Sequence, residues 1–68
     1  MSVKVLLLPE RKTKSVKLQR GADGFELLKA LNINPENVIL LRGERPVPVD
    51  SRIRPDDDLK VVRVVSGG

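Results

Sequence analysis

The sequence predicts a two-layer α+β domain, in which a mixed sheet of four to five strands packs on one helix. Apolar alternation typical of strands recurs along the chain, whereas a single segment, residues 24–31, combines a capping signal with apolar residues at helical spacing. Because 68 residues suffice for only one small core, we expect all of these elements to share it.

The first two strands are predicted from the N-terminal third of the chain. Residues 3–8 are apolar apart from Lys4 and stop at Pro9, which is typical of a strand with at least one buried face. Residues 14–19 alternate polar and apolar, as a half-buried strand does. A polar turn joins the two segments, so we expect an antiparallel hairpin.

The helix is predicted to start after Asp23, whose carboxylate can cap it, and Glu26 can close a capping box. Its apolar side chains fall on neighbouring turns and form one stripe, which we expect to lie in the core. The predicted stripe consists of Phe25, Leu27, Leu28 and Leu31.

Three further strands are predicted after the helix. Residues 38–42 form a third strand that ends at Gly43. Residues 45–49 contain two prolines, which cannot donate to a sheet, so this segment is at best a short edge strand. A polar connection with Ile53 as its apolar anchor leads to the last strand, residues 59–65.

With one helix, one face of the sheet is left for solvent or a partner. Alternation in the last strand places Leu59 and Val61 inside, and Val62 and Val64 outside. The same phase in the third strand exposes Leu40 and buries Ile39 and Leu41. We therefore predict an outward apolar patch of Leu40, Val62 and Val64 that binds a partner. The opposite register, or a loop over this face, is the alternative.

The composition argues against an enzyme and against a metal site. The chain has no Cys, His, Trp or Tyr, so thiolate nucleophiles, imidazole bases and zinc fingers are excluded. The acidic run Asp56–Asp58 lacks the spacing of a calcium loop and is interpreted as a turn. The absence of disulfides favours a cytoplasmic location, and no signal peptide or membrane-spanning segment is predicted.

The net charge of +4 is concentrated on the first hairpin, in Arg11, Lys12, Lys14, Lys17 and Arg20. Phosphate contacts would need such a surface. Single-strand binders also stack bases on aromatic side chains, and the one aromatic here, Phe25, is assigned to the core. The sequence therefore argues against nucleic-acid binding. The basic hairpin would instead suit a non-catalytic interaction module with an acidic partner.

The chain closes with Ser66-Gly67-Gly68 directly after a strand. Glycines without Cβ atoms can pass through a narrow channel, although a frayed terminus or a linker would give the same pattern. We expect a folded domain over residues 1–65 and a flexible tail over residues 66–68.

The order of elements, with the terminal glycine pair, resembles the ubiquitin-like β-grasp family. Within that family the chain looks like the ThiS/MoaD sulfur carriers, which include the small archaeal ubiquitin-like modifiers. Residues 53–68 are similar to the family's closing block, and residues 25–38 to its helix, proline turn and third strand. Asp56 stands where the family commonly has Gly before the Asp, and Ser66 takes a place often filled by Gly or Ala.

This resemblance implies that the chain is a carrier and not an enzyme. A ubiquitin-activating-type enzyme, which supplies ATP and Mg²⁺ while this chain binds no cofactor, would draw in Ser66 and Gly67 and adenylate the Gly68 carboxylate. A sulfur donor enzyme would convert it to a thiocarboxylate for thiamin, molybdopterin or tRNA thiolation by a sulfur-accepting synthase. Alternatively, Gly68 would be joined to target lysines.

Overall fold

A computed structural model describes residues 1–64, and the predicted domain boundary at residue 65 lies outside them. The elements follow the predicted order, and their bounds are β1 Ser2–Leu8, β2 Lys12–Lys17, α1 Gly24–Ala30, a 3₁₀ turn Pro35–Asn37, β3 Val38–Arg42, β4 Arg45–Val47 and β5 Leu59–Arg63. No helix among these residues is long and apolar enough to cross a bilayer.

The strands form one five-stranded mixed sheet in the order β2-β1-β5-β3-β4. β1 and β2 form the predicted antiparallel hairpin, whereas β1 and β5 are parallel. β3 is antiparallel to both β4 and β5. β5 therefore lies in the centre of the sheet, and the proline-containing β4 lies at an edge, where a missing N–H costs no ladder bond. The predicted α+β class and single helix layer are confirmed.

The core lies between α1 and one face of the sheet. The helix contributes Leu27 and Leu28, and the loop before β5 contributes Ile53, the predicted anchor. The sheet contributes the residues that alternate inward along its strands. The buried strand residues are Val3, Val5, Leu7, Val16, Val38, Leu40, Leu59 and Val61.

The start of α1 is fixed by a cap and by a close approach of two backbones. The Asp23 carboxylate accepts a hydrogen bond from the Glu26 N–H at 3.0 Å, as predicted. The next residue, Gly24, is buried, and its N–H donates to Ser51 O at 3.0 Å. A Cβ at this position would overlap the Val49 carbonyl oxygen and lie 2.8 Å from Leu40 Cδ2. Only glycine lets the helix pack this closely.

The prediction that Phe25 lies in the core is wrong, because this side chain is 49% exposed. The buried stripe of the helix starts one residue earlier and runs through Gly24, Leu27 and Leu28 to the half-buried Leu31. These positions have the i, i+3, i+4, i+7 spacing of one helix face. A glycine carries no apolar side chain, so hydrophobic spacing alone cannot identify it as a core position.

Candidate functional site

The outer face of the sheet, which α1 does not cover, carries a continuous set of apolar residues. Ile39 is directly opposite Val62 in the β3–β5 register, and Leu8 is opposite Val62 in the β1–β5 register. Residues that face each other across paired strands share one face. We call the resulting set the outer apolar patch, and its members are Leu6, Leu8, Ile39, Leu41 and Val62.

The prediction that Leu40 belongs to this face is wrong. Leu40 is opposite Val61, and both point toward the helix with at most 1% exposure. Its neighbour Ile39 is 45% exposed on the outer face. Val62 is half-buried on the outer face, and Val64, just after the strand, is 49% exposed. Of the three predicted positions, only Val62 is fixed on the outer face by its strand pairing; Val64 is exposed beyond the end of β5, and Ile39 stands in place of Leu40.

A lysine and a basic margin accompany the outer apolar patch. Lys60 lies opposite both Leu6 and Leu41, so its half-buried chain crosses the middle of the patch. Its methylene groups can cover apolar surface while the ammonium group reaches water. On the same face, the exposed Lys4 lies two residues before Leu6 in β1, and the exposed Lys17 of β2 lies opposite Ser2, so both place positive charge at this side of the patch. The whole face suits a partner that is apolar at its centre and acidic at one side.

The chain leaves the sheet from its central strand, at the end where the β1–β2 turn lies. The Val64 N–H donates to Asn37 O at 2.8 Å, which anchors the last described residue to the 3₁₀ turn. Arg63 Nε lies 3.9 Å from the Glu10 carboxylate. We call this region the tail exit. Ser66, Gly67 and Gly68, the predicted tail and reaction site, lie outside the described residues.

The acidic run is a structural turn, as predicted. Asp57 accepts a hydrogen bond from the Arg54 N–H at 2.8 Å and forms an ion pair with Arg42 at 3.3 Å. Arg42 also donates to Arg52 O at 2.7 Å, so the pair ties β3 to the loop before β5. Within residues 1–64, no group of three acidic, His or Cys side chains is arranged to hold a metal ion.

The sequence did not predict the outer-face positions of four residues, which are Leu6, Leu8, Ile39 and Leu41. The unbroken apolar run Leu6-Leu7-Leu8 was the available signal. Successive residues of a strand point to opposite faces, so a run without polar residues presents apolar side chains on both faces. Residues 38–41 are likewise apolar at every position. Periodicity cannot select the inward face of such a strand, and the pairing with β5 does so.

Comparison with known proteins identifies the family of the chain. The family model described as small archaeal modifier protein 2 matches residues 1–65. The chain is 42% identical over 64 residues to the sulfur carrier protein TtuB of Thermus thermophilus, covering 94% of this chain and 95% of that protein. It is also 49% identical over 43 residues to an uncharacterized protein of Archaeoglobus fulgidus, covering 63% of each chain. Residues 1–64 form one helix on a five-stranded mixed sheet, and the chain belongs to the small archaeal modifier protein 2 family of ThiS/MoaD-type ubiquitin-like sulfur carriers.

Proposed function

We propose that this chain is a sulfur carrier whose reactive group is the Gly68 carboxylate. The observation that carries the proposal is the 42% identity to a sulfur carrier over nearly the full length of both chains. The family match and the tail sequence agree with it. The chain has no Cys or His, so a partner enzyme supplies ATP, Mg²⁺ and the sulfur nucleophile. The chain itself is a substrate.

The proposed chemistry begins when a Gly68 carboxylate oxygen attacks the α-phosphorus of ATP and pyrophosphate leaves. The terminal sulfur of a persulfide on the sulfur donor enzyme then attacks the acyl carbon, and AMP leaves. A thiol reduces the resulting acyl disulfide and is oxidised to a disulfide, which releases the thiocarboxylate. A sulfur-accepting synthase in thiamin biosynthesis, molybdopterin biosynthesis or tRNA thiolation would accept this sulfur.

Two parts of the chain have separate tasks in this proposal. The outer apolar patch docks on the activating enzyme, and the four residues after Val64 carry the carboxylate into its ATP site. Four extended residues span at most about 14 Å. The ATP site must therefore lie within that distance of the tail exit when the patch is docked.

A second candidate, a ubiquitin-like modifier, is favoured by the name of the matching family. It shares the adenylation step, but the amine of a target lysine displaces AMP and forms an isopeptide bond. A cytoplasmic location fits either candidate.

The two candidates are distinguished by the intact mass of the protein from its native cells, measured without reducing agent, together with peptide mapping of heavier conjugates. A carrier gains the mass difference between sulfur and oxygen at its C-terminus. A modifier leaves its own C-terminal residues joined to lysines of other proteins, and because the last basic residue is Arg63, the remnant after trypsin is Val64 to Gly68.

Reconstitution with the activating enzyme tests the shared step by ATP–pyrophosphate exchange. Deletion of Gly67 and Gly68 should abolish exchange, and Val62→Lys should raise the KM for the carrier at least about 10-fold by placing a charge in the patch. Gln19→Lys adds the same charge at an exposed position away from the patch and should leave the KM within about 2-fold. Undiminished exchange by the truncated chain would disprove the terminal mechanism.

A further inference from the structure

The helix side of the molecule carries a groove that is separate from the outer apolar patch. One part of it is lined by Phe25, Lys29, Asn32, Ile33, Asn34 and Pro35. Another part lies at the tail exit, where Arg63 and Val64 line it together with the same residues Asn32, Ile33 and Asn34. The two parts share three lining residues, and together we call them the helix-side groove.

The floor of the helix-side groove is apolar and its edges can bind a peptide backbone. Phe25 is 49% exposed, and Ile33 and Pro35 are half-buried beside it. A partner residue that covered the Phe25 ring would remove much of its remaining apolar area from water. The Asn34 Oδ1 accepts a hydrogen bond from the Glu36 N–H at 3.0 Å, so Asn34 offers mainly its amide NH₂ donors to the C=O groups of an extended chain. The exposed side chain of Asn32 carries both an amide donor and an acceptor.

The charge of the groove selects the kind of peptide. Lys29 lines the end near Phe25, Arg63 lines the end at the tail exit, and no acidic side chain lines either part. Among residues 1–64, no carboxylate oxygen lies within 4 Å of the Lys29 ammonium group. The Arg63 guanidinium has one acidic neighbour, Glu10, at 3.9 Å, and Glu36 follows Pro35 just outside the groove. Two cations at the two ends complement an acidic segment.

We infer that the helix-side groove binds an extended acidic peptide segment of the enzyme that processes the tail, with one apolar side chain against Phe25. The inference rests on the proposed function, because the groove ends where the tail begins. A protein segment fits better than single-stranded nucleic acid, since successive bases need several aromatic platforms and the groove has one. The activating enzyme on the outer apolar patch leaves this opposite side free for a second contact.

The test uses the full chain and a phage-displayed library of random 12-residue peptides. Enriched sequences should be acidic with at least one large apolar residue. A synthetic enriched peptide titrated into the ¹⁵N-labelled protein should shift the amide signals of Phe25, Asn32, Asn34 and Arg63. Its affinity should fall at least about 10-fold in Phe25→Ala and in Lys29→Glu, and should stay within about 2-fold in Ile39→Ala, the matched control on the outer apolar patch. Circular dichroism verifies that each variant is folded.

Several results would overturn the inference. These are enriched peptides that are basic or uncharged, shifts confined to the outer apolar patch, or no peptide that binds the groove. Tighter binding of an oligothymidylate at the same residues would assign the groove to nucleic acid, and a gain of affinity on deletion of residues 65–68 would assign it to the chain's own tail. Peptide binding needs no adenylation, so the truncated chain that fails in ATP–pyrophosphate exchange should still bind. Failure of the groove and failure of the carrier mechanism are thereby separated.

Discussion

Adjacent residues of β3 provide a sharp test of which side of the sheet is the core. Leu40→Ala and Ile39→Ala each remove a large aliphatic side chain from the same strand, and both replace it by the same residue. Ile has the higher intrinsic strand preference, so this contribution alone would make Ile39→Ala the costlier variant. A larger loss of unfolding free energy for Leu40→Ala therefore reports the difference in burial.

The magnitude follows from the two exposed fractions. Leu40 is 1% exposed, and its Cδ2 lies beside Gly24, which has no side chain to fill a cavity. We therefore expect Leu40→Ala to cost about 3–4 kcal/mol, in the upper part of the range for such truncations. Ile39 is 45% exposed, so roughly half of a full burial term, or about 1 kcal/mol, should be lost. Against a total stability of about 3–10 kcal/mol, the first variant is severely weakened and the second is not.

Urea unfolding followed by far-UV circular dichroism measures both losses, since the chain has no Trp or Tyr for fluorescence. The dependence of the free energy on urea concentration should not change, so the midpoints report stability directly. In thermal unfolding, Tm of the Leu40 variant should lie at least about 8 °C below that of the Ile39 variant. Equal losses, or a larger loss for Ile39→Ala, would refute the assignment of Leu40 to the core.

Three further predictions concern the elements that hold the site. Gly24→Ala should lower the free energy of unfolding by about 2–3 kcal/mol, because the added methyl group overlaps the Val49 backbone. The control Ala30→Gly, at an exposed helical position, should lower it by about 1 kcal/mol. If calorimetry finds no loss for Gly24→Ala, the close contact is disproved. Asp23→Ala should cost about 1 kcal/mol through loss of the helix cap, and Asp23→Asn should restore most of it, both by urea unfolding; equal losses would contradict the capping role. Asp57→Ala should lower the free energy of unfolding by about 1–3 kcal/mol and speed hydrogen exchange of the Arg54 amide. The control Asp56→Ala should change the free energy of unfolding by less than about 0.5 kcal/mol. Unchanged exchange at Arg54 would show that the turn does not depend on Asp57.

The sequence allowed the element order, the hairpin, the cap and the edge position of β4 to be predicted because each has a local cause. The Asp23 cap and the prolines in and after β4, Pro46 and Pro48, act within a few residues, and the alternation from Lys14 to Gln19 identifies β2 on its own. The inward face of β3 has no local cause, since residues 38–41 are all apolar. It is set by pairing with β5, about 20 residues later in the chain.

The helix face was mispredicted for a related reason. Phe25 has a large apolar side chain, but the neighbouring residue Gly24 faces the sheet. At that position only a hydrogen atom fits against the Val49 carbonyl group. A close approach between two distant backbones leaves no hydrophobic signal in a single sequence. The exposure of Phe25, and with it the helix-side groove, could therefore not be foreseen.

The central position of β5 determines how the domain resists a force that pulls on the residues after Val64. A partner that draws in the residues after Val64 pulls along the axis of a strand that is hydrogen-bonded to β1 on one edge and β3 on the other. Such a pull shears both ladders together, so many hydrogen bonds must break at once instead of one after another as in unzipping. An edge strand in the same role would peel away from the sheet. An enzyme that pulled on the residues after Val64, as in the proposed function, would therefore meet the resistance of two ladders at β5 instead of one.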